Sequence, residues 1–199
     1  TDKAFRKSKI KKVKNLIVRN FWEQEYEQSQ SGQMAADMLS YVISKIGRFI
    51  TNDMMRNIIG QVHSGFNLRE IMDDRKIILV NLSKGQVGEV NSSLLGLVMV
   101  SKIQMAAMAR ANLPQERRKD LYLYIDEFQN YTTDSIATIL SEARKYRLNL
   151  ILAHQYISQL VTGQDTKIRE AVFGNAGTKV SFRIGVEDSE MMAKEFAPV

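Results

Sequence analysis

Two adjacent carboxylates, Asp126 and Glu127, follow directly on the strand-forming residues of "LYLYIDEFQN". Neighbouring anions repel each other, and a divalent cation offsets that repulsion. An apolar strand ending in Asp-Glu is the Walker B pattern of a large class of NTPases. In that pattern the Asp holds Mg2+, usually through water, and the Glu orients and deprotonates the attacking water. The same letters also suit a strand end whose acids face solvent or cap the next helix. A second polar terminus follows the apolar run "LILAHQ", which ends in His154 and Gln155. Gln155 is neutral and long, so it fits a residue that hydrogen-bonds the attacking water or a γ-phosphate. His154 reads as a strand-end residue.

Between these two runs lies "SEARKYRLN", with Arg144, Lys145 and Arg147 at the end of a helical pattern. Cations there complement the helix dipole. A second use is an arginine presented to the nucleotide of a neighbouring subunit. A phosphate-cradling G-x-x-x-x-G-K-[ST] loop is absent from the sequence. "SKGQVGEVNSS" has glycines, but no Lys follows the second one, and "VTGQDTK" fails as well. The chain therefore carries a candidate hydrolytic half, and by itself it is not expected to turn over ATP.

The elements that must position these residues change in texture along the chain. From about Lys9 to Met72 the apolar pattern is helical. Val13, Leu16, Ile17, Phe21 and Trp22 recur at three- and four-residue steps. Met34, Met38, Leu39, Val42 and Ile46 share one face of a helix over about 32–50. Thr51, Asn52 or Asp53 caps a third helix through Ile58 and Ile59. From Lys76 the spacing predicts strands over 76–82 ("KIILVNL"), 121–126, 148–153 and 178–184 ("TKVSFRI"). A long helix over 91–112, helices over about 133–146, 155–161 and 166–173, and a last helix from Asp188 alternate with them. "LPQERRKD" reads as an exposed connection. Strands alternating with helices imply parallel βαβ units, an α/β fold.

Composition narrows the classes. With 199 residues the chain can bury one good core and a smaller satellite. It has no cysteine and only two histidines, His63 and His154, which excludes a disulfide framework and a thiolate zinc site. No uninterrupted apolar run approaches the roughly 18 residues of a membrane span, and no signal peptide is visible. The net charge of +6 is concentrated: residues 1–20 carry eight Lys/Arg and one Asp, leaving −1 for the rest. That basic segment suits a solvated terminus, or a contact with nucleic acid or an anionic membrane.

The stretch "LYLYIDEFQNYTTDSIATILSEARKYRLNLILAHQYISQL" closely resembles the Walker B to sensor region of type IV secretion coupling proteins of the TraD/TraG type, relatives of the HerA and FtsK DNA-pumping ATPases. "SGFNLREIMDDRKIILVNLSKGQVGEVNSSLLGLVMVSKIQMAAMAR" and "FGNAGTKVSFRIGVEDSEMMAKEFAPV" resemble the flanking segments. The resemblance implies a partial RecA-like parallel sheet flanked by helices over 73–199. Residues 1–72 would then be part of an all-helical insert, with the Walker A strand upstream of Thr1. It implies Asp126 for Mg2+ through water, Glu127 for water activation, Gln155 as sensor and Arg144 as the trans-acting arginine. Asp126, Gln155 and Arg183 would face the nucleotide.

It further implies ATP and Mg2+, DNA as the moved substrate, and a homo-oligomeric ring, a hexamer in such proteins. Relaxosome or secretion-channel proteins would be partners. The location would be cytoplasmic, with a membrane anchor in the parent outside this chain. Two other functions fit the same residues: a HerA-like DNA-processing ATPase, and a non-hydrolysing adaptor that recruits a relaxosome or effector.

Overall fold

The computed structural model describes residues 2–29, 33–132 and 134–197. They divide into two compact units, Thr1–Val62 and His63–Val199.

The first unit is helical. Asp2 caps α1 (Lys3–Ile10) by accepting from the amides of Ala4 and Phe5 at 2.8 and 3.3 Å. Within α1, Arg6 turns inward to pair with Glu27, and its guanidinium lies 4.9 Å from the Tyr26 ring centre. Asn15 caps α2 (Leu16–Asn20), which runs on through a π turn, Phe21–Glu25, into α3 (Tyr26–Ser29). α4 spans Gln33–Ile50, and α5 (Asp53–Ile59) starts at Asn52, whose side chain accepts from Met55 N at 3.1 Å. The side chains of Met34, Met38, Leu39 and Val42 lie outside the described residues; Ile46, expected on the same apolar face, is half exposed.

The second unit starts before the boundary expected at residue 73. α6 (Leu68–Asp73), grouped with the helical segment on sequence periodicity, puts Leu68 and Met72 into the core of this unit. After it come a short α7 (Lys84–Val87) and the long α8 (Glu89–Met108), with Gly88 at φ 84° between them. The stretch Glu89–Asn112 is long and apolar enough to cross a membrane, contrary to the expectation from uninterrupted apolar runs. Ser92, Gly96, Ile103 and Ala107 of α8 are buried in this unit, and the rest of the helix is half-buried or exposed.

Two strands, β1 (Leu121–Ile125) and β2 (Leu148–Leu152), pair in parallel with Leu121 opposite Leu148 and Ile125 opposite Leu152. α9 (Asp134–Glu142) provides the crossover, and α10 (Lys167–Asn175) and α11 (Val186–Phe196) follow. Alternation along the strands turns Leu123, Ile125, Leu148, Leu150 and Leu152 towards α8 and α9, where they meet Val100, Ile136 and Ile139. Tyr122 and Tyr124 face the other way and are exposed.

The described residues thus form an α/β arrangement whose sheet has two strands. The strands expected over 76–82 and 178–184 are not formed. Among the described residues neither segment has a ladder partner, and a strand exists only by pairing. Their outward side chains show it: Ile77 is 90%, Leu79 92% and Phe182 88% exposed. The connection "LPQERRKD" is also not merely exposed. Arg118 donates from Nε to the carbonyls of Arg110 and Leu113, both at 3.0 Å, and from Nη1 to that of Lys145. Arg110, fully buried, donates to Lys119 O at 2.6 Å and to Tyr146 O. Burial pushes the Arg110 pKa down. Two guanidinium groups therefore hold the starts of both strands through carbonyl groups alone.

Candidate functional site

Parallel pairing brings the C-terminal ends of β1 and β2 to the same edge, so Asp126-Glu127 and His154-Gln155 leave the sheet side by side. The ladder runs one step past the strands: Ala153 N donates to Ile125 O and Phe128 N to Ala153 O, each at 3.0 Å. Asp126 and Glu127 are looped out between those two bonds. Glu127 takes the left-handed conformation, φ 48° and ψ 45°, uncommon for a residue with a side chain and often found at functional sites. Asp126 helps to fix the loop, since its Oδ1 accepts from Glu127 N at 3.0 Å.

The turn that follows, Phe128–Tyr131, is pinned at every residue. Phe128 is fully buried, its ring edge-on to His154 at 6.3 Å. Asn130 donates from both its backbone N and its Nδ2 to Glu127 O, each at 3.0 Å. Lys84 reaches across from α7 to Asn130 Oδ1 at 3.2 Å and pairs with Glu89 at 3.1 Å. The Tyr131 ring lies where a side chain at Gly96 would be, so only glycine in α8 permits this approach.

The Glu127 carboxylate accepts two amide hydrogens. Gln155 Nε2 bonds Oε1 from the end of β2, and Gln129 Nε2 bonds Oε2 from two residues ahead. These two bonds, Gln155 first, hold the Glu127 pKa below its ordinary value, with smaller help from the charges of Lys84 and His154. Glu127 is therefore ionised at neutral pH, as a base for water must be. His154 is occupied differently: its Nδ1 lies 3.2 Å from Tyr156 O.

Among the described residues no three His, Cys, Asp or Glu side chains converge as a metal cage. The donor chemistry instead suits Mg2+, which keeps its waters and takes one or two carboxylates. Asp126 is exposed at the strand end and has a carboxylate oxygen free for such a water.

The structure brings Asp126, Glu127 and Gln155 together. It does not bring Arg144 to them. Arg144 is exposed in the turn before β2, at the opposite end of the sheet, roughly 16 Å away for five residues at about 3.3 Å each. Arg183 is exposed at a bend before α11 rather than on a strand. Three neighbours of Glu127 go unnoticed in the sequence: Gln129, Asn130 and Lys84. Asp188 is a fourth such case: buried in the first turn of α11, it accepts from Ile157 N at 3.3 Å and ties that helix to the turn after β2.

Residues 120–197, from the residue before β1 to the residue after α11, match the family model described as the TraM recognition site of TraD and TraG. That segment is similar to the TraD/TraG family. The match agrees with the resemblance seen in "LYLYIDEFQN" and its surroundings, and associates this segment with coupling proteins of conjugation and type IV secretion. No curated protein and no solved structure matches the chain.

Proposed function

We propose that this chain is the Walker B part of a RecA-like motor that hydrolyses ATP to move DNA through a homo-oligomeric ring during conjugation or type IV secretion, at the cytoplasmic face of a membrane. The observation that carries the proposal is the Glu127–Gln155 bond across the C-terminal ends of two parallel strands, with Asp126 exposed beside it. In α/β folds that edge is where ligands bind. In this reading Asp126 would hold Mg2+ through water, and the ion would supply charge neutralisation at the phosphates. Glu127 accepts the proton of the attacking water, and Gln155 orients that water and senses the phosphate. Residues 120–197 would also contact a relaxosome protein, as the family description names such a site for TraD and TraG. Arg144 lies too far from Glu127 to serve the same nucleotide, so it would act on a neighbour's.

Mixed rings of the full-length protein test this. Glu127→Gln and Arg144→Ala subunits are each nearly inactive alone, because the first lacks the base and the second a charge worth roughly 10³-fold or more. Mixed together, they regain turnover wherever an intact Glu127 faces an intact Arg144. Normal turnover of Arg144→Ala rings refutes the trans assignment, and normal turnover of Glu127→Gln rings refutes the whole reading.

A further inference from the structure

The carboxylate of Glu127 is gripped from both sides, by the Gln155 side chain and by that of Gln129. Gln129 sits at the second position of a turn fixed by buried Phe128, by Asn130 and by the bond from Thr132 Oγ1 to Gln129 O at 3.1 Å. Its amide has a definite direction. Nε2 points at Glu127, while Oε1 is buried with no hydrogen-bond partner. An unpartnered buried carbonyl is costly, so something must enforce this direction. The anionic carboxylate does: with the amide turned over, Oε1 would face a carboxylate oxygen, acceptor against acceptor.

We propose that Gln129 is a positioning residue for Glu127, forming with Gln155 an amide clasp that fixes the carboxylate plane and keeps it ready to accept a proton. This rests on the reading of Glu127 as the base. The outward arm, Gln155, can exchange its bond for one to water or phosphate, because it is exposed. Gln129 is partly buried and tied to the same turn as Glu127, so its bond persists when Gln155 moves.

Two measurements test the clasp, on Gln129→Met, which keeps the length without donors, and on Gln129→Asn, which keeps the amide but is one methylene short. Carbon-13 NMR of the Glu127 carboxyl in this chain, at one neutral pH, reads loss of the amide bond as a changed shift and reports folding in the same spectra. Steady-state hydrolysis by the full-length protein reads the consequence. Both variants are expected to move the Glu127 carboxyl signal and to lower kcat about 10- to 100-fold at unchanged KM, the scale of misplacing a reacting group by about 1 Å. An unmoved carboxyl signal in the two variants overturns the clasp. If the signal moves but Glu127→Gln still hydrolyses ATP normally, the clasp stands and the catalytic reading of Glu127 falls.

Discussion

Replacing Arg110 by Met isolates the device that holds the two strands at their starts. Met keeps most of the side chain's length and apolar contacts but has no donors. Arg110 is fully buried and donates to Lys119 O, two residues ahead of β1, and to Tyr146 O, two residues ahead of β2. Hydrogen bonds from charged donors contribute about 1.5–3 kcal/mol each, so two lost bonds cost about 3–6 kcal/mol. Against this, the guanidinium no longer has to be desolvated, a relief of up to several kcal/mol that is reduced by the charges of Asp73 and Asp120 nearby. The expected net loss is about 2–4 kcal/mol. Arg110→Lys keeps the charge but not the fork, so it can serve one carbonyl and should lose about half as much. Hydrogen exchange of the Leu121 and Ala153 amides is the assay. Their bonds, to Arg147 O at 2.9 Å and Ile125 O at 3.0 Å, lie at the two ends of the sheet. A loss of 2–4 kcal/mol in the opening free energy accelerates exchange roughly 30- to 700-fold. Unchanged or slower exchange in Arg110→Met would refute the reasoning, because desolvation would then outweigh the carbonyl bonds.

Gly96→Ala places a Cβ 2.2 Å from Tyr131 Cδ1, so the ring must move; a loss of about 1–3 kcal/mol is expected, seen as a lower melting temperature. An unchanged melting curve would show that Tyr131 is not held there. For the basic segment, Lys3, Lys7, Lys9, Lys11, Lys12 and Lys14 make no ion pair among the described residues. If these six contact DNA phosphates, log Kd against log salt has a slope of magnitude about 5, falling to about 1 when residues 1–12 are deleted. Equal low-salt affinity with and without residues 1–12 rules that contact out.

What was legible in the sequence depended on how local the cause was. β1 and β2 announce themselves because each is a short apolar run ending in polar residues. Asp126, Glu127 and Gln155 then stand at strand ends simply by counting. The runs at 76–82 and 178–184 look the same in sequence, but ladder partners decide whether such a segment is a strand, and sequence periodicity does not report partners. Arg118 sits in a run of charges that reads as solvated, yet it closes over the carbonyl ends of two helical turns. Gln129 is hidden for a similar reason: a neutral amide among turn residues has no pattern of its own. Its only sequence signal is its place two residues after the second carboxylate, and that becomes meaningful once Glu127 is left-handed and points back over the turn.

The two ends of the small sheet differ in charge, and this bears on how a ring would close. At the C-terminal ends stand Asp126 and Glu127. At the N-terminal ends stand Arg110, Arg118, Arg144 and Arg147. Three of those cations are committed within the chain: Arg110 and Arg118 to carbonyl groups, and Arg147 to Asp120 at 3.4 Å. Arg144 differs, being exposed and, among the described residues, without an ion pair or side-chain hydrogen bond. A head-to-tail ring sets unlike surfaces of successive subunits against each other. A cation that is both uncommitted and at the far end from its own carboxylates is the arrangement such a ring needs to complete a site in trans. A monomeric catalyst would gain nothing from it. The helix-dipole use of Arg144 makes the opposite demand, since it requires only the local turn. The mixed-subunit experiment separates the two, because a dipole-capping arginine gives no recovery that depends on which neighbour carries it.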